Sequence, residues 1–260
     1  MKGDAPVQFA IVAGFAAVAI AAARAAGIPL AGSIGRATAR ATVQLLAVGA
    51  LLTLLVDRPW VAAIFAAVML STATLTASGR VGVQGVWPVL AFAMGLPAGV
   101  AAAALLLSGA IPGGALAAVA TIGILVGGAM AATTLAGRAL VRELERDLPR
   151  VEALLLLGAT VREACAEPVR HAVVSGLVPV LDQTRTVGLI ALPGTFVGLV
   201  LGGATPATAA RVQLLVLIGL IAVELTAALV AAHAIVWRLT VRGAERLRTP
   251  AIGGARGAHD

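Results

Sequence analysis

The chain has almost no lysine. Lys2 is the single one among 19 basic residues, and the rest are arginine. A Walker-type phosphate loop ends in Gly-Lys-Ser/Thr, because its lysine reaches the β- and γ-phosphates. Lys2 follows Met1 and precedes Gly3, so no such loop is present. If ATP drives this protein, a separate subunit holds ATP and its magnesium. Cysteine is equally scarce. With Cys165 alone, an internal disulfide and a Cys-x-x-Cys metal or redox site are excluded. His171, His233 and His259 lie far apart, which argues against a histidine metal cage within one chain. Charged residues make up 12% of the sequence, against about 25% in an ordinary soluble domain.

Apolar residues fill the space that charge leaves. They make up 60% of the 260 residues, and the mean hydropathy is +1.02. A water-soluble fold cannot hide that much apolar surface, so the expected class is an all-α, polytopic membrane protein. The net charge of +7 could suggest nucleic acid. The arginines instead flank apolar runs, as cytoplasmic loop residues do, and nucleic acid is excluded as a partner.

Turn residues and charges divide the apolar runs into seven predicted helices. They cover Val7 to Ala26, Ala37 to Val56, Trp60 to Ser78, Val86 to Leu107, Ala115 to Ala136, Val173 to Leu201 and Ala209 to Trp237. A cleavable signal peptide is a second reading of the first run. Asp4, the length of the run and the spans that follow favour a retained helix. The sixth region carries Pro179 and Pro193, so it reads as one kinked helix or two half-helices. The chain thus reads as a single permease domain. It has five spans over 7–137, a cytoplasmic region over 138–172, two spans over 173–237 and a tail over 238–260.

Arginine sets the orientation. Let the stretch Arg138 to Arg170 be cytoplasmic. Alternation then places Arg24, Arg36, Arg40, Arg80 and the tail arginines on the same side, fifteen of the 19 basic residues in all. This excess puts the N-terminus outside and the C-terminus inside.

Within the cytoplasmic stretch, Leu140, Leu144, Leu148, Val151 and Leu155 form one helical stripe, with a kink expected at Pro149. Leu157-Gly158-Ala159-Thr160 should break the helix. Thr160 with Glu163 has capping-box spacing, so a short helix should start at Val161 and end at Pro168. Arg162, Glu163 and Glu167 charge its surface. It reads as a solvated connector or as a coupling helix docked in a cytoplasmic motor. A capped helix transmits rigid-body motion that a loose loop would absorb.

Glu152-Ala153-Leu154-Leu155-Leu156-Leu157-Gly158 resembles the Glu-Ala-Ala-x-x-x-Gly loop by which ABC permeases contact their ATPase. The run Leu157-Gly158-Ala159-Thr160, then Thr186-Val187-Gly188-Leu189-Ile190-Ala191-Leu192-Pro193-Gly194, resembles the iron-export ABC permeases of bacteria. That family includes the plant aluminium-tolerance membrane subunits. Arg40-Ala41-Thr42-Val43-Gln44-Leu45 with Gly49, and Gln213 after Pro206, extend the resemblance from about Gly35 to Arg238. It implies a permease subunit in the bacterial cytoplasmic (inner) membrane, paired as a homodimer and driven by an ABC ATPase. The implied cargo is an iron-like metal cation or a related small solute, and the implied ATPase contacts are Glu152, Gly158, Ala159, Thr160, Arg162, Glu163 and Glu167. Two positions depart from the family pattern. Thr195-Phe196 stand where methionines often follow Leu-Pro-Gly. Gly127-Gly128-Ala129-Met130 lacks the usual asparagine. The resemblance therefore supplies no metal-ligand set.

The apolar spans contain a few groups that water would normally solvate. Asp182 and Arg185 lie three apart and can pair on one helix face near the cytoplasmic boundary, as a structural pair or a gate. Glu224 falls near the centre of the last span and must face protein or water. Gln44 can hold two helices together or line the path. Met130, Pro193 and Gly194 complete the candidate pathway. Gly194, Gly198 and Gly202 repeat at four-residue steps, a spacing that suits close packing within the chain or a dimer seam. His233 reads as structural, and Cys165 as an ordinary small residue. No covalent catalysis is implied. An ATP-independent cation channel or carrier, and a membrane scaffold, remain the alternatives.

Overall fold

The computed structural model describes residues 5–55, 59–111 and 114–248. Among them it is helical throughout, apart from one isolated bridge between Val187 and Ala191. The helices are α1 (Ala5–Ala25), α2 (Ala31–Leu55), α3 (Pro59–Val81), α4 (Trp87–Leu107) and α5 (Gly114–Arg146). The short α6 (Leu148–Leu156) and α7 (Val161–Ala164) follow, then α8 (Ala166–Thr186), α9 (Gly194–Leu201) and α10 (Pro206–Arg248).

Five described helices are long and apolar enough to cross a bilayer: α1, α3, α4, α5 and α10. The protein is therefore multi-pass. α2 and α8 are not among the five. α8 has the length of a span, but Glu167, Arg170, Asp182 and Arg185 lower its hydropathy.

The chain divides into two compact units, residues 1–59 and 60–260. In the first, α1 and α2 pack as a hairpin. Gly27 turns it at φ +65°, and the Ile28 N–H donates back to the Ala23 carbonyl at 2.9 Å.

The second unit is a bundle in which α5 packs on α4, α8 and α10. Its core is built largely from small residues. Ala132, Ala136, Ala227, Ala228, Ala231 and Ala232 have no exposed surface. Small side chains let backbones approach, which is how helices associate where lipid is as apolar as leucine. Gly176 of α8 is the tightest such approach to backbone. A methyl group there would stand 2.8 Å from the Ala132 carbonyl oxygen. Buried positions along α10 recur at steps of three and four, from Val212 and Val216 through Leu220, Val223 and Ala227 to Ala231. Outward faces remain apolar, with Phe92, Val100 and Leu214 each more than half exposed.

α5 meets α10 at Gly128 beside Leu220 and Glu224, and again at Gly137 beside Ile235. Residue numbers rise together along both helices, so the two run parallel. α3 reaches the bundle through side chains, with Leu70 at Gly95, Met69 at Gly123 and Val81 at Gly137.

Several boundaries differ from those read in the sequence. The fifth helix does not end at Ala136 but continues to Arg146. The bend falls at Asp147, and Pro149 sits in the first turn of α6 instead of kinking a longer helix. Pro168 does not end the short helix. That helix closes at Ala164, and Pro168 lies in the first turn of α8, where a missing N–H costs no hydrogen bond. The sixth region starts earlier and is two helices. Pro179 stays inside α8, and the break covers residues 187–193.

Candidate functional site

The segment after α5 is a short structured cap on the bundle. α6 ends at Leu156 with Leu157 as its C-cap, and Gly158 takes φ +91°, a left-handed conformation that a side chain would strain. The Ala159 N–H then donates to the Leu154 carbonyl at 3.0 Å, and the chain enters α7. The expected capping box is formed. The Thr160 hydroxyl oxygen accepts from the Glu163 N–H at 3.3 Å, and the Thr160 N–H donates to the Glu163 carboxylate at 2.8 Å. The Thr160 backbone bond, then its hydroxyl bond, hold the Glu163 carboxyl below its ordinary range.

A second tie joins the cap to the bundle. Arg150 of α6 pairs with Glu167 of α8. The hydrogen bond and charge of Arg150 lower the Glu167 carboxyl. Beneath these polar ties, Val151, Ala164 and Cys165 are buried, and Leu154 and Val161 pack on the core. Burial pushes the Cys165 thiol up. The apolar stripe differs from its sequence reading. Leu140, Leu144 and Val151 join the core, whereas Leu148 and Leu155 are exposed and Leu154 packs in their place. Glu152, Gly158, Thr160, Arg162 and Glu163 are exposed, and Ala159 is half-buried. Leu156 and Leu157 stand out at 88% and 84% exposure. All seven predicted coupling residues therefore lie on one contiguous stretch, Glu152 to Glu167.

Asp182 and Arg185 do pair, with Arg185 Nη1 donating to Asp182 Oδ1 at 3.3 Å. Their place differs from expectation. They close the last turns of α8, fifteen residues beyond Glu167, or roughly 22 Å along the axis. They stand at the opposite end of α8 from the cap and are largely exposed.

Glu224 is buried, 6% exposed, on the inward face of α10. Gly128 of α5 makes room for it. A methyl group on Gly128 would lie 2.5 Å from Glu224 Oε1. Among the described residues, no hydrogen bond or ion pair reaches this carboxyl group. The sequence marked Gly128 only as a departure from a motif, and its pairing with Glu224 had no signal beyond the Gly127-Gly128 doublet. Other orphaned polar atoms share the bundle interior: Thr133 Oγ1 and Thr134 Oγ1 on α5, and Gln213 Oε1 on α10. Met130 is half-buried against the core. Among the described residues, no three His, Cys, Asp or Glu side chains group as a metal site.

Gln44 is exposed on α2. In the sixth region, Pro193 caps α9, and Gly194 and Gly198 have open space where a side chain would stand. Gly202 meets only the carbonyls of Gly198 and Leu199. Among the described residues, no other helix packs closely on these glycines.

Residues 6–239 match the profile described as "Uncharacterised protein family (UPF0014)". The UPF0014 membrane protein slr1647 of Synechocystis is 30% identical over 246 residues, covering 86% of this chain and 89% of that protein. "Protein ALUMINUM SENSITIVE 3" of Arabidopsis thaliana is 42% identical over 85 residues, covering 33% of this chain and 31% of its own length. "Probable iron export permease protein FetB" of Escherichia coli is 37% identical over 67 residues, covering 26% of each chain. This chain thus matches less than a third of the length of the last two relatives. No solved structure matches it. The resemblance carried by Thr186–Gly194 and the match over nearly the whole chain converge, and the protein belongs to the UPF0014 family of membrane proteins.

Proposed function

We propose that this chain is the membrane-spanning subunit of an ABC transporter, driven by a separate ATPase. The observation that carries the reading is the cap. α7 is locked by its capping box, α6 before it is tied to α8 through Arg150–Glu167, and Glu152, Arg162 and Glu163 face outward. A push on such a helix would pass into α8 as rigid motion instead of being absorbed by a loop. The cargo is a metal cation or a related small solute, an assignment supported by the name of the Escherichia coli relative.

The transmembrane topology we favour has seven crossings: α1, α2, α3, α4, α5, α8 and α10. Parallel neighbours α5 and α10 require an odd number of crossings between them. α6, α7 and α9 are too short for a hydrocarbon core of about 30 Å, and α8, with 21 residues, is long enough. This path keeps the arginine excess on one side, with the N-terminus outside and the C-terminus inside. α9 has no buried residue, and Gly194 and Gly198 face open space. Those features suit a seam with a second copy, with residues 187–193 as the hinge. Glu224 is the candidate gate or cation contact inside the membrane.

The test is co-purification with a Walker-type ATPase from the same genome. Wild type should retain the ATPase. Glu152→Arg with Arg162→Glu, which leaves the capping box and net charge intact, should lose it while keeping its melting profile. Retention by the double variant would remove the coupling assignment. Cation flux by the purified chain alone, in vesicles without ATP, would establish the channel or carrier reading instead.

A further inference from the structure

A groove of about 420 Å³ runs between the start of α8, with α7, and the end of α10. Val161 and Val169 form one wall, and Val236 and Trp237 the other. Arg162 and His233 supply its polar edge, and among the described residues no Asp or Glu lines it. His233 Nδ1 is bonded to the Leu229 carbonyl at 2.8 Å, which leaves Nε2 free of that bond. Arg238 lies over the Trp237 ring, 5.6 Å from its centroid. Among the described residues, no hydrogen-bond partner reaches its buried Nε.

We infer that this groove binds an anionic phospholipid. Three observations choose the occupant. The apolar run of α10 gives way to Trp237, Arg238 and Arg242, the flank expected at a membrane surface, so the groove lies at a bilayer boundary. Its wall carries a half-exposed tryptophan, the side chain that prefers the headgroup level. Among the described residues its charge is of one sign, and Arg238 lies against the ring of the wall residue Trp237. A headgroup phosphate pairs with Arg162 and draws in the guanidinium of Arg238 beside Trp237, and the first acyl carbons lie on Val169 and Val236. A zwitterionic lipid brings its own cation and gains less. The bound lipid bridges α7 to α10 and so ties the surface cap to the last span. The inference needs only a membrane-embedded chain, and it stands or falls apart from any ATPase.

The test is native mass spectrometry of the full-length, delipidated protein. It is titrated with phosphatidylglycerol and with phosphatidylcholine of the same acyl chains. Wild type should bind phosphatidylglycerol at least tenfold more tightly. Arg162→Gln with Arg238→Gln should abolish that preference, Arg162→Lys with Arg238→Lys should keep it, and Arg170→Gln outside the groove should leave it unchanged. Equal binding of both lipids by wild type, or an unchanged preference in the glutamine double variant, would overturn the inference. Displacement of the lipid by millimolar inorganic phosphate would mark a free-anion site and overturn it too. Should the double variant fail to fold, brominated lipids read the same groove in a protein whose only remaining tryptophan is Trp237, with Trp60→Phe and Trp87→Phe. Stronger quenching by brominated phosphatidylglycerol than by brominated phosphatidylcholine is expected, and equal quenching refutes the site.

Discussion

Replacing Gly176 with alanine probes the contact between α8 and α5. The added methyl would lie 2.8 Å from the Ala132 carbonyl oxygen, 3.0 Å from Ala136 Cβ and 3.3 Å from Ala136 N. Carbon contacts settle at about 3.5–4.0 Å. The obstructing atoms belong to the backbone of α5 and to a side chain with no rotamer, so neither can swing aside. α8 must back away instead, and such overpacking costs about 1–3 kcal/mol. Alanine also gains about 1 kcal/mol of helix propensity, which obscures the loss in a single variant. Gly127→Ala supplies the reference. Gly127 is also a helix-interior glycine, and nothing lies within 4 Å of its missing side chain. The propensity gain cancels between the two variants, so Gly176→Ala should be less stable than Gly127→Ala by about 1–3 kcal/mol. The assay is thermal unfolding of purified protein in one detergent, followed by tryptophan fluorescence. At about 2–4 °C per kcal/mol for chains of this size, the two midpoints should separate by several degrees. Equal midpoints, or a higher one for Gly176→Ala, would refute the tight contact.

Three further outcomes follow from the cap and the intramembrane charges. Thr160→Ala removes the N-cap acceptor and should cost about 1 kcal/mol locally, seen as roughly fivefold faster hydrogen exchange in 161–166, with Thr160→Ser near wild type. Glu167 is held below its ordinary range by Arg150, so its pairing contributes above the unfolded value and is lost as pH falls through the folded one. Protection from hydrogen exchange across 148–168, taken relative to the intrinsic rate at each pH, should fall on acidification below about pH 4, and Arg150→Gln should flatten that response. Asp182→Asn should shift stability by less than about 0.5 kcal/mol in melting experiments, because both partners of its pair are mostly exposed.

Local chemistry was the part most legible in the sequence. The four-residue window from Thr160 to Glu163 contains both halves of the capping box, and Gly158 marks the turn before it. The three-residue step from Asp182 to Arg185 likewise fixes a pair wherever the helix forms. Information spread across the chain was harder to read. Arg150 and Glu167 are separated by two helix breaks, so no spacing rule links them. Glu224 needed a vacancy opposite it, and only packing reveals that Gly128 provides one. Pro168 misled because proline is equally at home after one helix and in the first turn of the next. The start of α8 escaped the hydropathy reading because Glu167, Arg170 and His171 precede its apolar middle, so the sequence placed the sixth helix only from Val173.

The alanines at the centre of the bundle set its mechanical character. Leucine or phenylalanine would interlock as knobs, and moving one helix would require lifting each knob out of its hole. Alanine has no rotamer to freeze or release. Faces built from Ala132 and Ala136, or from Ala227, Ala228, Ala231 and Ala232, present few such knobs, so the register of the helices falls to isolated interlocks. Gly176 against Ala132 sets α8 on α5, and Glu224 in the notch at Gly128 sets α10. Shifting either helix along α5 has to open those points first.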